Sequence, residues 1–194
     1  ELKLQQVYGA DAAAPAAFVT LITERAQGNP FYVEELINYL NDRGIDPDDR
    51  QALAALDLPA SLQSLILSRI DQLSESQKVT IKVASIIGRL FRFRWLWGAY
   101  PELGVQERVK ADLDVLDHMD LTPLDQLEPE LIYIFKNALT QEATSESLLA
   151  ATRALLHGQL AAFIEQSYAD SLDQYYDLLA YHYDQSTRAD KKRE

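Results

Sequence analysis

The sequence predicts a mainly α-helical protein with one small β-hairpin. Through most of the chain, apolar residues recur three and four positions apart, which is the spacing of amphipathic helices. The exception lies between residues 121 and 135, where two short apolar runs flank a polar turn and the second run is rich in β-branched and aromatic residues. With 194 residues, of which 47% are hydrophobic, the chain is long enough to bury a sizeable core.

A Gly-Asn-Pro turn separates the first two predicted helices. Residues 15–27 carry apolar side chains at helical spacing, and this helix is predicted to end before Gly28, which tolerates a positive φ. Pro30 fixes φ at a value that suits the first turn of a second helix, and Glu34 and Glu35 follow where the helix dipole favours negative charge. The second helix has an apolar face that comprises Phe31, Val33, Leu36, Ile37 and Leu40.

The polar stretch 44–49, with its glycine, its proline and three aspartates, predicts a domain boundary. Pro59 then suits the first turn of a new helix, and Ser74 followed by Gln77 is the signature of a capping box that begins another. Gly88 is predicted to end it. The apolar stripes of these two helices are Leu62, Leu65, Ile66, Ile70 and Leu73 in the first, and Val79, Val83, Ile86 and Ile87 in the second.

Residues 89–135 complete a predicted small domain. In the segment 89–101 the aromatic residues alternate as in a strand, so we expect a turn or brief strand followed by a helix. A helix bearing Val105, Val109, Leu113 and Leu116 precedes the hairpin. Three helices followed by a two-stranded ribbon is the element order of a winged helix. The sequence therefore predicts a winged-helix-like domain over residues 47–150.

The last part of the chain predicts an antiparallel pair of helices. Thr152 is predicted to cap a helix that bears Leu155, Leu160 and Ile164, and Ser171 to cap the next. A helical hairpin of this kind is the unit from which α-helical solenoids are built. Residues 151–194 are therefore predicted to begin an array of helical repeats.

Composition excludes several classes of site. Thirty acidic against eighteen basic residues give a net charge of −12, which opposes attraction of the whole chain to nucleic acid or to an anionic membrane. The chain has no cysteine, and its three histidines lack the spacing of metal ligands. Neither a membrane span nor a signal peptide is recognisable, so we expect a cytoplasmic protein. Because the chain begins at Glu1 without a methionine, we expect a segment of something longer.

Five segments, in a fixed order, resemble a known family. Gly28-Asn29-Pro30-Phe31-Tyr32-Val33-Glu34-Glu35-Leu36 resembles the Gly-x-Pro segment that opens the helical lid of signal-transduction ATPases of the STAND branch of the AAA+ superfamily. Residues 58–73 and 82–91 are similar to the segments that follow this lid in ATPase regions fused to bacterial adenylate and guanylate cyclases and in related multidomain transcriptional regulators. Phe135-x-Asn137-x-Leu139-x-Gln141-Glu142 is similar to that family's Phe-x-His-x-Leu-x-Gln-Glu, and residues 179–183 resemble the opening of its tetratricopeptide-like repeats.

The resemblance implies where a nucleotide would lie. Residues 1–46 would form the lid, and Gly28, Asn29 and Pro30 would contact ATP or ADP, with Pro30 against the adenine. Asn137 stands where the family has a histidine that reaches a phosphate of ADP. An asparagine cannot become a cation, so its contact with phosphate would be weaker, and helix capping is its alternative role. Residues 44–49 would serve as a hinge between the two contact points.

The same resemblance implies the partners of the chain. They are an upstream nucleotide-binding domain, the downstream repeats of the same chain and a protein bound through those repeats. The sequence has no phosphate-binding loop of the form Gly-x-x-x-x-Gly-Lys-Ser/Thr. We therefore expect this chain to be no enzyme and to hold no cofactor or metal alone. The resemblance implies that ATP or ADP is bound only in the intact parent protein, an ATPase of a family whose members include nucleotide cyclases. There this segment would transmit nucleotide state to an effector.

A winged-helix DNA-binding module is the alternative function. The window 76–110 holds seven basic and two acidic residues, a local charge of +5 in a chain that is acidic as a whole. A basic cluster of this kind is typical of a nucleic-acid interface and also of a face that meets another domain. A DNA complex would weaken as salt is raised, and this dependence distinguishes the two functions.

Overall fold

A computed structural model describes residues 15–46 and 48–191. The protein is mainly helical with one small antiparallel sheet, as the sequence predicts. The chain divides into two compact units, one ending at Gln72 and the other beginning at Leu73. The predicted boundaries after residues 46 and 150 lie inside these units.

In its described residues, 15–46 and 48–72, the first unit has four helices packed around an apolar core. They are α1 (Ala16–Ala26), α2 (Pro30–Asp42), α3 (Arg50–Ala55) and α4 (Leu62–Ile70). The buried side chains at its centre are Phe18, Ile22, Leu36, Tyr39, Leu40, Leu53, Leu58 and Leu65. Helix α3 is not anticipated by the sequence analysis. It begins because the Asp49 carboxylate accepts hydrogen bonds from the backbone N–H groups of Gln51 and Ala52, both at 3.0 Å.

The stretch 44–49 between α2 and α3 is a local turn. Gly44 has a φ of 63°, a conformation that glycine adopts without strain. The Asp46 carboxylate accepts a hydrogen bond from the backbone N–H of Asp48 at 2.8 Å. Pro47 lies outside the described residues. The role of this stretch as a hinge stays a prediction.

Between residues 73 and 191, the second unit combines six helices, two short 3₁₀-helices and three strands. In chain order they are α5 (Glu75–Ile87), β1 (Leu90–Arg92), α6 (Phe93–Ala99), a 3₁₀-helix (Pro101–Leu103), α7 (Gln106–His118), β2 (Leu124–Gln126), β3 (Ile132–Ile134), α8 (Ala138–Glu146), α9 (Ala150–Ser167), a second 3₁₀-helix (Ala169–Tyr175) and α10 (Tyr176–Lys191). The capping box predicted at the start of α5 is confirmed, because Ser74 and Gln77 exchange side-chain to backbone hydrogen bonds.

The sheet has three antiparallel strands in the order β1-β3-β2. The predicted hairpin is confirmed as β2 and β3, and β1 adds to the free edge of β3 with Phe91 opposite Tyr133. The ring of Phe91 stacks on Tyr133 at 5.8 Å between centroids and lies 5.6 Å from the ring of Phe135. All three rings are buried, so one aromatic cluster joins β1 to β3 and to the residue that follows β3.

Two predicted helix starts near the C-terminus are wrong. Helix α9 begins at Ala150, so Thr152 lies inside it. The guanidinium of Arg153 donates to the carbonyl oxygen of Ser145, at the end of α8, and to that of Leu148, in the link to α9. These hydrogen bonds hold a tight corner just before α9. Ser171 lies in the second 3₁₀-helix, with φ −144° and ψ 33°.

An aromatic cluster packs around the second 3₁₀-helix. The indole N–H of Trp95 donates to the Tyr168 hydroxyl at 3.0 Å, and the ring of Tyr175 packs edge-on against the same indole. The rings of Tyr168 and Tyr175 lie 4.6 Å apart. The non-helical backbone of Ser171 interrupts this segment between the two tyrosines, and regular α-helix begins only at Tyr176.

No single helix in the described ranges is long and apolar enough to cross a membrane. One bent pair, Ala138–Glu146 with Ala150–Ser167, is long and apolar enough only when its two helices are taken together, and the angle between them is 115°.

Gly98 lies where α6 approaches α9 closely. A Cβ atom at this position would lie 2.5 Å from Cζ of Phe163, well inside contact distance. We expect Gly98→Ala to lower the free energy of unfolding of the second unit by about 1–3 kcal/mol, because the Phe163 ring must move. Gly158→Ala is the matched control, because its Cβ would meet Ser186 at an ordinary 3.5 Å.

Denaturant unfolding followed by tryptophan fluorescence measures this effect, since Trp95 and Trp97 both lie in the second unit. Alanine has the higher helix propensity by about 1 kcal/mol, so Gly158→Ala should be neutral or slightly stabilising. The double variant Gly98→Ala/Phe163→Leu should regain most of the loss. Equal stability of the two alanine variants would contradict the close approach.

Candidate functional site

The segment Gly28-Asn29-Pro30 forms the turn that the sequence predicts. Gly28 has a φ of 83°, and the backbone N–H of Asn29 donates to the carbonyl of Ala26 at 2.8 Å. The side-chain oxygen of Asn29 accepts from the backbone N–H groups of Phe31 and Tyr32, at 3.0 and 3.4 Å, and so caps α2. Pro30 occupies the first helical position.

Pro30 and Phe31 present an apolar surface to solvent at this turn. Phe31 is 50% exposed although it belongs to the predicted apolar face of α2, and Pro30 is exposed beside it. A large exposed apolar pair on a backbone fixed by a cap is suited to stacking against a flat ligand. The turn therefore presents an exposed apolar surface beside its cap.

Two buried contacts hold the start of α2 against the segment 58–70. The hydroxyl of Tyr32 donates to the carbonyl of Pro59 at 2.7 Å. Glu35, only 1% exposed, accepts from the guanidinium of Arg69 at 2.5 Å. The first two segments that carry the family resemblance are thus joined by one hydrogen bond and one ion pair.

Arg69 is fully buried and contacts two carboxylates. Its Nη1 donates to Glu35, and its Nε donates to Asp42 at 2.7 Å. Burial alone would lower the pKa of Arg69, but the two carboxylates outweigh burial and raise it, so the guanidinium remains charged. Glu35 was predicted to be favourable only because it lies near the N-terminus of a helix. In the structure its carboxylate also forms the ion pair that neutralises Arg69.

Asn137 caps a helix in the second unit. Its side-chain oxygen accepts from the backbone N–H of Thr140 at 2.7 Å and from the Thr140 hydroxyl at 2.9 Å. The capping role that the sequence analysis gave as the alternative is therefore present. Contact between Asn137 and a phosphate stays a prediction, and Asn137 and the Gly28-Asn29-Pro30 turn belong to different compact units.

The other residues of the Phe135–Glu142 motif also have local structural roles. Phe135 is completely buried within the aromatic cluster of the sheet. The side-chain amide of Gln141 donates to the carbonyl of Ser85 at 2.6 Å and so ties α8 to α5. Leu139 is 45% exposed. The motif thus positions α8 against α5 and the sheet.

Most of the basic residues in the window 76–110 have partners within the second unit. Their contacts are Lys78 with Glu75, Arg92 with Glu130 and with the ring of Trp95, Arg94 with the ring of Tyr168, Arg108 with Ser76, and Lys110 with Asp114. Across the described ranges, no group of three or more histidine, aspartate or glutamate side chains is arranged to hold a metal ion.

Comparison of the chain with families of known proteins, with curated proteins and with solved structures gave no match.

Proposed function

We propose that this chain is a non-catalytic regulatory segment of a multidomain ATP-binding signalling protein, similar to the STAND ATPase regions joined to adenylate and guanylate cyclases. It couples the nucleotide state of an upstream domain to an effector. The observation that carries this proposal is the exposed Pro30–Phe31 surface on a capped helix start. Buried contacts of Tyr32 and Glu35 hold that surface in place, which prepares it to receive one face of a base.

The second unit supports the winged-helix part of the proposal. Its elements from α5 to β3 follow the order helix, strand, helix, helix, strand, strand, and the sheet order is β1-β3-β2. A winged helix is assembled from three helices and a three-stranded sheet that follow one another in this order. The antiparallel pair α9 and α10 supports the onset of a repeat array in the same way.

Charge favours protein partners over DNA for this unit. Helix α7, the third helix of the proposed winged helix, carries four acidic and two basic residues. Residues 124–134, which span the hairpin and its turn, contain three acidic residues and no lysine or arginine. DNA binding requires cations that neutralise phosphates, and here helix and hairpin are both acidic. We therefore favour neighbouring domains of the same parent protein over DNA as the partners of α7 and the hairpin.

The proposal is tested by ADP binding to the parent protein with Pro30→Ala. The substitution removes the proline ring that would pack on one face of adenine. This should weaken the free energy of ADP binding by about 1–2 kcal/mol, which raises the Kd roughly 5- to 30-fold. Pro101→Ala is the control, because Pro101 is also exposed and also begins a helical turn. Calorimetry measures both. An unchanged Kd for Pro30→Ala would reject the adenine contact, and micromolar ATP binding by this chain alone would reject the upstream nucleotide domain.

A further inference from the structure

The second unit carries an open, apolar cavity of about 430 Å³. Helix α5, the 3₁₀-helix after α6 and the first half of α9 form its walls. The apolar side chains that line it are Val79, Val83, Leu103, Leu148, Leu155 and Leu156. Its volume lies within the range of cavities that bind ligands or partner side chains. Leu155 remains 62% exposed and Val79 49%, so the surface around the opening is apolar as well.

One cation and one anion line the same cavity without partners. Lys82 comes from α5, and Glu102 from the 3₁₀-helix. In the part of the chain that the structure describes, neither side chain forms an ion pair or a hydrogen bond. A ligand of a single charge sign would satisfy one of them and be repelled by the other. The surface therefore matches a partner that carries both signs.

Leu155 stands between this cavity and a shallower depression along α9. The depression shares Leu155 and Gln159 with the cavity, and its other lining residues are small: Ala151, Ala154, Gly158, Ala162 and Ser186. Small side chains allow another surface to approach the α9 backbone closely. The same face thus carries an exposed leucine and the hollows that a leucine could fill.

We propose that this face binds a second copy of the chain across a twofold axis. In a twofold interface a surface patch meets itself, so Leu155 of each copy would enter the hollow of the other. Lys82 of each copy would pair with Glu102 of the partner subunit, which uses both unpaired charges at once. The proposal is independent of nucleotide coupling, because it rests only on this face of the second unit.

The net charge of the chain opposes this association at low salt. Each copy carries −12, and two such bodies repel each other over long distances. At about 0.15 M salt this repulsion is screened beyond roughly 8 Å, whereas contacts within the interface persist. Sedimentation measurements on the 194-residue chain should therefore be made at that salt concentration, where we expect dimers at micromolar concentrations.

Leu155→Asp tests the apolar part of the interface. We expect it to remain monomeric at concentrations where the wild type is dimeric, because a carboxylate would replace the leucine in the hollow. Leu127→Asp is the matched control, since Leu127 is 67% exposed and does not line the cavity. It should dimerise as the wild type does. Circular dichroism establishes that both variants are folded.

Reversing the charges of Lys82 and Glu102 tests whether these two residues pair across the interface. Lys82→Glu and Glu102→Lys should each raise the dimer Kd at least about tenfold, because every substitution acts twice in a twofold interface. The double variant Lys82→Glu/Glu102→Lys restores opposite charges and should return to within about threefold of the wild type. An equimolar mixture of the two single variants should form a heterodimer, since one chain then carries two anions and the other two cations at these positions.

Several results would overturn the proposal. A wild-type chain that stays monomeric up to several hundred micromolar, or a double variant as weak as the single ones, excludes the twofold pairing. A monomeric wild type that binds decanoate in a Leu155-dependent manner would assign the cavity to a small aliphatic ligand instead. Equal loss of dimer in Leu127→Asp and Leu155→Asp would place the interface elsewhere.

Discussion

Arg69→Met should destabilise the first unit by about 3–5 kcal/mol, the loss typical of breaking a buried ion pair from one side. Arg69 is fully buried, and the two carboxylates it contacts are at most 7% exposed. Methionine fills much of the same space but leaves Glu35 and Asp42 beside each other without their cation. Two negative charges that have lost their ion pairs with Arg69 would then remain in an interior with little water to solvate them.

Amide hydrogen exchange in α2 and α4 measures this loss, because both tryptophans lie in the second unit and fluorescence would not report on the first. Arg43→Met is the control: Arg43 is exposed and lies over the ring of Tyr39 at 4.4 Å. It should cost no more than about 1 kcal/mol. Arg69, Glu35 and Asp42 form a buried charged triad. Wild-type protection factors in Arg69→Met would contradict its contribution to stability.

Replacing the whole triad separates the loss of packing from the loss of charge. Arg69→Met/Glu35→Leu/Asp42→Leu leaves no ion behind, and buried triads replaced by apolar side chains of similar volume are often as stable as the original. We expect this variant to regain most of the stability lost in Arg69→Met. Failure to regain it would show that the other polar contacts of these residues contribute more than the ion pairs.

Features that depend on neighbouring residues could be predicted from the sequence. Ser74 caps α5 as predicted, because its side chain reaches a backbone group only three residues away. Asn29, which was predicted only as a nucleotide contact, caps α2 over the same short distance. The hairpin of β2 and β3 follows from two short runs that flank a turn. In these places local geometry is nearly sufficient, and no distant contact overrides it.

Features that depend on distant contacts could not be predicted. The ion pairs of Arg69 join residues 27 and 34 positions apart, and the only hint was one arginine within an apolar stripe. Ser171 has the chemistry of a helix cap, but the packing of Tyr168 and Tyr175 on Trp95 holds that segment in a 3₁₀-helix. Here tertiary packing overrides a local preference.

The candidate site divides in the same way. The turn at Gly28 was predicted, whereas the cap at Asn29 was not, and neither was the exposure of Phe31, because its spacing placed it on the apolar face of α2. Asn137 had two roles open from the sequence, and its hydrogen bonds to Thr140 establish the capping role. A cap does not prevent the amide group from contacting a ligand, so the nucleotide role depends on the binding experiment.

The second unit should lose stability as the pH falls from about 6.5 to about 4, because two histidines are buried in neutral form. Nδ1 of His157 lies 2.7 Å from Nδ1 of His182, so a single proton is shared between the facing nitrogens. Burial, reinforced by Arg153, lowers the pKa of His157 to about 4. Burial, reinforced by His157, lowers the pKa of His182 to about 4.

The direction of the effect follows from which state binds the protons. Both pKa values lie below the ordinary value of about 6.5, so between pH 6.5 and 4 the unfolded chain takes up protons that the folded chain excludes. The stabilisation is therefore complete above pH 6.5 and declines as the pH falls through this window. Its size is on the order of 3 kcal/mol for the coupled pair.

The variant His157→Leu/His182→Leu removes both titrating rings and should lose less stability between pH 7 and pH 4.5, by on the order of 3 kcal/mol, than the wild type does. His118→Gln is the control, because His118 is exposed and lies in α7, away from α9 and α10 in the chain. It should retain the wild-type pH dependence. Denaturant unfolding followed by tryptophan fluorescence at each pH gives the three curves. The double variant and the wild type could instead lose the same stability over this range. The two histidines of the folded protein would then bind protons as readily as those of the unfolded chain, and the inference that they are buried in neutral form would be wrong.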